Sequence, residues 1–253
     1  MKRWMIFAGA LFLELSVAAC AGASSSGEYP SVNLRYKMIV EVETPEGLKT
    51  GFAVREISMV SRPKRLGEMN DTHVKLERGE AVGIDLGKRG MLFALMSIGG
   101  GGGQAIWAPF NAFPTPCPEG PISRCGIKYY SALKNNSRAE LKTRYLPGIV
   151  HFKNANDPNS VERVVEMTAC ADSEIRISNT HCIKNNNFEP IFGPGTRLKS
   201  ITIEMTEEDV TWVINQFLPW LSTIKGYLDG QSLGGGPELP NILERSDFVI
   251  GDK

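Results

Sequence analysis

Residues 33 to 98 consist of short apolar segments separated by turns too brief to contain a crossover helix. From Asn33 to Glu43, apolar and charged residues alternate with the period of two that is typical of a half-buried strand. Thr44 to Gly47 has proline and glycine at turn positions that favour them, and Leu48 to Ile57 follows as a returning strand. Because parallel neighbours need long crossovers, the sequence predicts an antiparallel sheet that begins with a β-hairpin.

Further apolar segments extend this sheet as a meander. The predicted strands are Val74 to Arg78, Ala81 to Leu86, Met91 to Ile98, Gly148 to Phe152, Val161 to Met167 and Leu198 to Met205. The segment from Ser61 to Thr72 is charged and is predicted as a loop, and a short helix is expected between Ile127 and Lys142. Both lie outside the predicted strands.

An amphipathic helix is predicted directly after the last strand. Thr206 is a suitable N-cap, acidic residues follow in the first turn, and an apolar stripe runs from Val210 to Leu221. Pro219 interrupts the stripe, so the helix is expected to kink or to split into two. The predicted fold class is therefore α+β, a mostly antiparallel sheet packed by a kinked C-terminal helix pair.

The chain is long enough for one large domain. Residues 33–230 are predicted to form a single α+β domain, with 231–253 as a C-terminal linker and tail. The apolar cluster from Phe248 to Ile250 could dock as an edge strand or stay mobile.

The first nineteen residues have the layout of a secretory signal, with a basic start and a mostly apolar segment to Ala19. This segment is 16 residues long and contains Glu14, so a retained membrane-spanning helix is the weaker interpretation. Val17 to Cys20 resembles the lipobox of bacterial lipoproteins. That resemblance implies cleavage before Cys20 and a diacylglyceryl group on its sulfur. Ordinary cleavage is the alternative, because Ala19 to Ala21 also fits a signal-peptidase site and would leave Gly22 first.

The resulting expectation is an exported protein that a lipid tethers to a membrane, facing the periplasm, with the outer membrane favoured over the inner. Residues 20–32 are small and polar and would form the lipidated tether. The whole chain has 28 basic and 28 acidic residues, and removing residues 1–19 leaves 26 and 27, a formal charge of −1. This balance argues against a nucleic-acid partner.

Four cysteines follow Cys20, and in an exported chain an even number indicates disulfides. Three connectivities are open, and the two local pairings are favoured, Cys117 with Cys125 and Cys170 with Cys182. Zinc is disfavoured because the gaps within these pairs are longer than those of zinc knuckles.

The segment from Gly99 to Gly126 begins with five glycines and continues with prolines and aromatic residues. The sequence predicts a long irregular insertion here, and such loops are often functional. Trp107, Phe110 and Phe113 are therefore candidate recognition residues. The alternative is that these aromatic side chains simply cap the sheet.

No motif supports catalysis, a metal or a cofactor. The GQSLG sequence at Gly230 lacks the strand, the helix and the downstream histidine that a nucleophile elbow requires. The glycines at Gly83 and Gly87 have the wrong spacing for a phosphate-binding loop, so a nucleotide is not expected. The three histidines form no metal-binding pair.

Several blocks resemble an uncharacterised family of bacterial exported proteins. They are Tyr36 to Gly47, Gly79 to Gly87, Asp157 to Val161, Phe192 to Thr206 and Leu218 to Leu221. The resemblance implies a shared fold and assigns no site residue. The sequence thus favours a lipoprotein with a binding, structural or accessory role, whose partners are the membrane and an envelope protein. The alternative is a periplasmic hydrolase whose site is assembled from distant residues.

Overall fold

The computed structural model describes residues 31–61, 72–169, 181–231 and 236–251. The predicted signal, Cys20, the tether before Ser31, the loop 62–71 and Cys170 lie outside them. The strands are β1 Ser31–Thr44, β2 Gly47–Ser61, β3 Thr72–Glu80, β4 Val82–Asp85, β5 Met91–Ala94, β6 Arg138–Glu140, β7 Ile149–Phe152, β8 Val161–Ala169, β9 His181–Asn186, β10 Arg197–Met205 and β11 Val249–Ile250. The helices are α1 Gly103–Ala112, α2 Arg124–Ser131, α3 Phe188–Phe192 and α4 Ile214–Phe217.

The described strands form two sheets in which all pairings are antiparallel. One sheet has the order β11-β3-β2-β1-β10-β6, and the other has the order β4-β5-β7-β8-β9. The hairpin of β1 and β2 is in register over its whole length and closes where Thr44 pairs with Gly47. The predicted hairpin and the mostly antiparallel sheet are therefore confirmed.

The main core lies between the two sheets, because strand alternation directs one face of each sheet into it. On β1, every second residue from Tyr36 to Val42 is fully or almost fully buried. Ile84 of β4 and Leu92 of β5 join the same cluster. The opposite face of the second sheet carries a smaller cluster, in which Phe93 packs beneath the C-terminal segment. The protein therefore stacks two sheets and a covering layer of irregular C-terminal chain.

The predicted kinked C-terminal helix pair is not confirmed. Residues 206–213 contain no helix, and from there to Gly230 the chain forms the short α4 and a 3₁₀ turn at Pro219–Ser222. Backbone groups that a helix would pair internally are bound by β1 and β2 instead. The Thr211 amide donates to the Val54 carbonyl oxygen, and its hydroxyl accepts the Val54 amide. The Glu207 carbonyl oxygen accepts a hydrogen bond from Arg35. Two of the acidic residues, Glu208 and Asp209, form ion pairs with Lys37 and Arg35 on the outer face of the first sheet. These contacts outweigh a weak helical preference.

The C-terminal residues complete both layers. β11 pairs with β3 at the edge of the first sheet, so the apolar cluster docks as an edge strand. Phe248 and Leu243 are fully buried in the second cluster. The amide of Ala81 donates to the carbonyl oxygen of Phe248. The described part of the tail, residues 236–251, therefore packs on the body.

Candidate functional site

The segment from Gly99 to Gly126 is more regular than the irregular insertion that the sequence predicts. It contains all of α1 and the beginning of α2. Pro109 lies inside α1 and has no amide hydrogen to donate to the carbonyl oxygen of Ala105 four residues earlier. The hydroxyl of Tyr36, from the core face of β1, donates to that oxygen at 2.5 Å. A side chain from the sheet thus replaces the hydrogen bond that proline removes, and fixes α1 against β1.

The glycine run has a structural explanation. Gly99 to Gly102 all have positive φ values between 66° and 88°, a backbone region that other residues rarely adopt. This path directs the amides of Gly99 and Gly100 at the fully buried carboxylate of Asp247. Successive backbone amides that converge on an anion form a nest, and here the anion comes from the chain itself. The run therefore joins α1 to the C-terminal segment.

A disulfide closes the connection between the two helices. Cys117 and Cys125 are bonded, with their Cα atoms 5.9 Å apart, which confirms the first predicted pairing. A loop of this length is stabilised by about 2–3 kcal/mol in the chain-entropy description. Ser123 then caps α2 by accepting the Gly126 amide at 3.0 Å. Cys182 is described but Cys170 is not, so their pairing stays a prediction.

Two of the three candidate recognition residues pack inward. Phe110 is 6% exposed and contacts Tyr130 edge to face, with the ring centroids 4.8 Å apart. Phe113 is half-buried against the main core, and its carbonyl oxygen accepts the Tyr130 hydroxyl at 2.9 Å. Burial raises the pKa of Tyr130 to about 12, so this hydroxyl remains a donor. Both phenylalanines attach the helices to the sheet.

Trp107 is the candidate that remains at the surface, with 42% of its area exposed. Its ring packs edge to face on Phe110, with the ring centroids 5.5 Å apart. Gln104 and Asn111 share its side of the helix by their three- and four-residue spacing, and both are exposed or half-buried. We call Gln104, Trp107 and Asn111 the Trp107 face. It is uncharged, and its backbone is fixed by the disulfide, the glycine run and Tyr36.

A second cluster of polar groups lies inside the core, where sequence reasoning did not place one. Arg55 and Glu80 are both fully buried. The Arg55 Nε donates to the Glu80 carbonyl oxygen at 2.9 Å, and the Glu80 Oε2 accepts the Ile214 amide at 2.8 Å. In the described part of the chain, Arg55 Nη2 and Glu80 Oε1 have no hydrogen-bond partner. Burial raises the pKa of Tyr36 more than the neighbouring guanidinium lowers it. These enclosed groups join β2 and β3 to the C-terminal segment.

The histidines occupy separate places in the fold. His151 has its Nδ1 atom 2.8 Å from the Met91 carbonyl oxygen, and its ring packs on Phe192. His73 is on β3 and His181 is on exposed β9. Over residues 31–61, 72–169, 181–231 and 236–251, no three His, Cys, Asp or Glu side chains are grouped as metal ligands.

Two surface cavities can be described. One, of about 200 Å³, lies between the first residues of β1 and the end of α2. The other, of about 340 Å³, lies on the outer face of the first sheet beside β6. Neither is lined by a histidine. The hydrolase alternative stays a prediction.

Comparisons with known proteins supply no relative for this chain. No protein-family model, no curated protein and no solved structure matches it. Of the helices that the described residues form, none is long and apolar enough to span a membrane. The resemblance to an uncharacterised exported family stays a prediction.

Proposed function

We propose that this chain is a cell-envelope lipoprotein, anchored by lipid on Cys20 and facing the periplasm, with the outer membrane as its expected site. In this proposal the folded body is a binding or accessory module that holds an envelope protein through the Trp107 face. The proposed anchor is supported by the lipobox-like sequence ending at Cys20. The Cys117–Cys125 disulfide supports an oxidising compartment, because such bonds are rare in the cytosol.

The observation that carries the binding role is an exposed tryptophan on a rigidly held helix. Tryptophan is enriched among the residues that dominate protein interfaces, because it buries a large area and orders few rotatable bonds. The disulfide and the Tyr36 hydrogen bond to α1 fix the backbone before any partner arrives. Such preorganisation reduces the entropy lost on binding.

The expected partner surface follows from the chemistry of the Trp107 face. The face has no charged side chain, and Asn111 supplies an amide group on one side of the indole. On the other side Gln104 supplies its NH₂ group, because its Oε1 already accepts the Gly148 amide at 3.0 Å. Their spacing suits a partner that inserts an apolar or aromatic side chain and forms hydrogen bonds around it. A charged partner surface would lose its hydration here without gaining an ion pair. We therefore expect the partner surface to be uncharged.

The first prediction is that Trp107→Ala releases the partner without unfolding the protein. Truncating an interface tryptophan of this kind costs about 2–4 kcal/mol of binding, or about 30-fold to 1,000-fold in affinity. The measurement is the fraction of the chain in a discrete complex when membranes are solubilised in mild detergent. Phe52→Ala is the matched control, because Phe52 is an equally exposed aromatic residue on the β hairpin.

The expected pattern is a complex that Trp107→Ala loses and Phe52→Ala retains, with the unfolding free energy of both within about 1 kcal/mol of the natural protein. Equal complex formation by all three chains would contradict the proposed role of Trp107. So would equal loss in both variants.

A further inference from the structure

Residues 124–144 hold an excess of positive charge that the composition of the whole chain conceals. The segment contains six basic residues and one acidic residue, a net charge of +5, in a chain whose formal charge is zero. Five of the six form what we call the basic edge: Arg124, Lys128, Lys134, Lys142 and Arg144, all exposed. The sixth, Arg138, is paired with Glu204.

The charges of the basic edge are not neutralised by neighbours within the described residues. None of its five members forms an ion pair there, although Arg144 lies over the ring of Tyr145. In contrast, most other basic side chains of the described chain have acidic partners, as Lys184 has Glu166 and Arg197 has Glu43. The edge is therefore a local region of positive potential on a body that is neutral overall.

The basic edge lies beside the point where the chain enters the fold. The cavity between β1 and α2 is lined by Val32 and Asn33 on one side and by Leu133 and Asn135 on the other, next to Lys134. The edge then follows β6, which forms one side of the first sheet. The Asn136 amide donates to Met205, which pairs with Tyr36. Asn136, two residues after Lys134, is therefore displaced along β1 from Ser31 by about five residues, or about 17 Å.

The proposed anchor is close enough for this surface to reach the bilayer. Cys20 and Ser31 are eleven residues apart in the chain, which can span at most about 36–40 Å. That reach exceeds the displacement of Asn136 from Ser31, so the tether allows the edge to contact lipid headgroups. Positive side chains within a Debye length of an anionic surface, about 8–10 Å at ordinary salt, are attracted to it.

We propose that the basic edge binds the anionic phospholipid headgroups of the membrane that holds the anchor, and so sets how the body is oriented on that membrane. The inference rests on the proposed lipid anchor, which brings the edge to the bilayer. The interaction is electrostatic and non-covalent, and depends on lysine and arginine side chains near phosphate groups. The attraction depends on the local positive charge of the basic edge. The net charge of residues 20–253, which is −1, would not attract the body to an anionic surface.

The test measures vesicle binding by residues 20–253 carrying Cys20→Ser, the mature chain without its lipid. Sedimentation with phosphatidylcholine vesicles, with and without phosphatidylglycerol, gives the affinity for each surface. The edge variant combines Lys128→Gln, Lys134→Gln and Lys142→Gln. Its matched control combines Lys49→Gln, Lys88→Gln and Lys225→Gln, which removes the same charge from places outside the edge.

Binding is expected only to vesicles that contain phosphatidylglycerol, and it should disappear at about 0.5 M salt. Each basic residue at an anionic surface contributes about fivefold, so the edge variant, which lacks three of them, should bind about 100-fold more weakly. The control variant should remain within about threefold of the starting chain. Equal loss in both variants, or equal binding to neutral vesicles, would overturn the proposal.

The result does not depend on whether Cys20 is lipidated in cells, because the tested chain carries no lipid. Loss of vesicle binding would therefore contradict the basic edge without contradicting the lipid anchor. Absence of the lipid would contradict the anchor without contradicting vesicle binding by the edge. All three edge lysines are exposed, so the thermal midpoint of the variant should stay within a few degrees of the starting chain.

Discussion

Replacing Asp247 by alanine is expected to lower the free energy of unfolding by about 3–5 kcal/mol. The carboxylate is fully buried and accepts four hydrogen bonds. The donors are the Ser97 hydroxyl at 2.6 Å and the amides of Gly100 at 2.8 Å, Glu244 at 2.9 Å and Gly99 at 3.3 Å. Alanine leaves the buried Ser97 hydroxyl and three partly buried amides without their acceptor, and an unsatisfied buried donor costs more than a hydrogen bond contributes.

The loss of stability should be largest in the glycine run and the C-terminal segment, which Asp247 joins. Denaturant unfolding gives the total, and amide hydrogen exchange should show faster exchange at Gly99 to Gly102 and at β11 than in the β1–β2 hairpin. Asp209→Ala is the control, because its carboxylate is fully exposed and its ion-pair partner among the described residues is Arg35 at the surface. That change should leave the free energy of unfolding almost unchanged. A similar, small effect for both variants would contradict the assigned role of Asp247.

Arg55→Met is expected to destabilise the protein by about 1–3 kcal/mol, although methionine is apolar and of similar length. The substitution removes the donor that pairs with the Glu80 carbonyl oxygen. It also removes the contact of the Arg55 Nη1 with the Met38 sulfur at 3.5 Å. The loss is costly because the Glu80 residue is fully buried, so water cannot replace the hydrogen bond to its carbonyl oxygen.

A double-mutant cycle isolates the coupling between the two residues. Glu80→Gln removes the carboxylate charge but keeps the carbonyl oxygen that Arg55 binds, so Arg55→Met should cost the same in that background within about 0.5 kcal/mol. Arg124→Met is the matched control at an exposed arginine and should change stability by less than about 0.5 kcal/mol. A cost of Arg55→Met that falls by about 1 kcal/mol or more in the Glu80→Gln background would show that Arg55 acts through the carboxylate charge and would contradict this account.

The strands were predictable because their signal is local. The alternation from Asn33 to Glu43 places the side chains of β1 on the faces that the structure gives them. The turn at Thr44 to Gly47 fixes the register of the hairpin. Arg55 could have been found by the same counting, because it shares the buried face of β2 with Ala53 and Ile57.

The C-terminal segment and α1 were not predictable from local patterns. An N-cap and an acidic first turn at Thr206 favour a helix, but Arg35 and Lys37 bind that segment from a strand about 170 residues earlier. At α1, glycine and proline argue against a helix. Tyr36 supplies the hydrogen bond that proline removes, and Asp247 holds the glycines. In both places the deciding partner is distant in sequence.

Within the candidate site, the sequence identified the aromatic residues but not their roles. Phe110, Phe113 and Trp107 are all aromatic and lie within seven residues of one another in the chain. Which of them is buried depends on the side of α1 that faces Tyr130. That face could not be assigned while the segment was predicted to be irregular. The Cys117–Cys125 disulfide, in contrast, follows from cysteine spacing and is confirmed.

The mass of the intact protein purified from its own membranes tests the central claim most directly. A lipid-anchored chain should have the mass of residues 20–253 plus a diacylglyceryl or larger adduct, less the four hydrogens lost in two disulfides. Reduction should return those hydrogens and leave the adduct in place. A mass without an adduct, beginning at Met1 or at Gly22, would contradict the lipoprotein assignment.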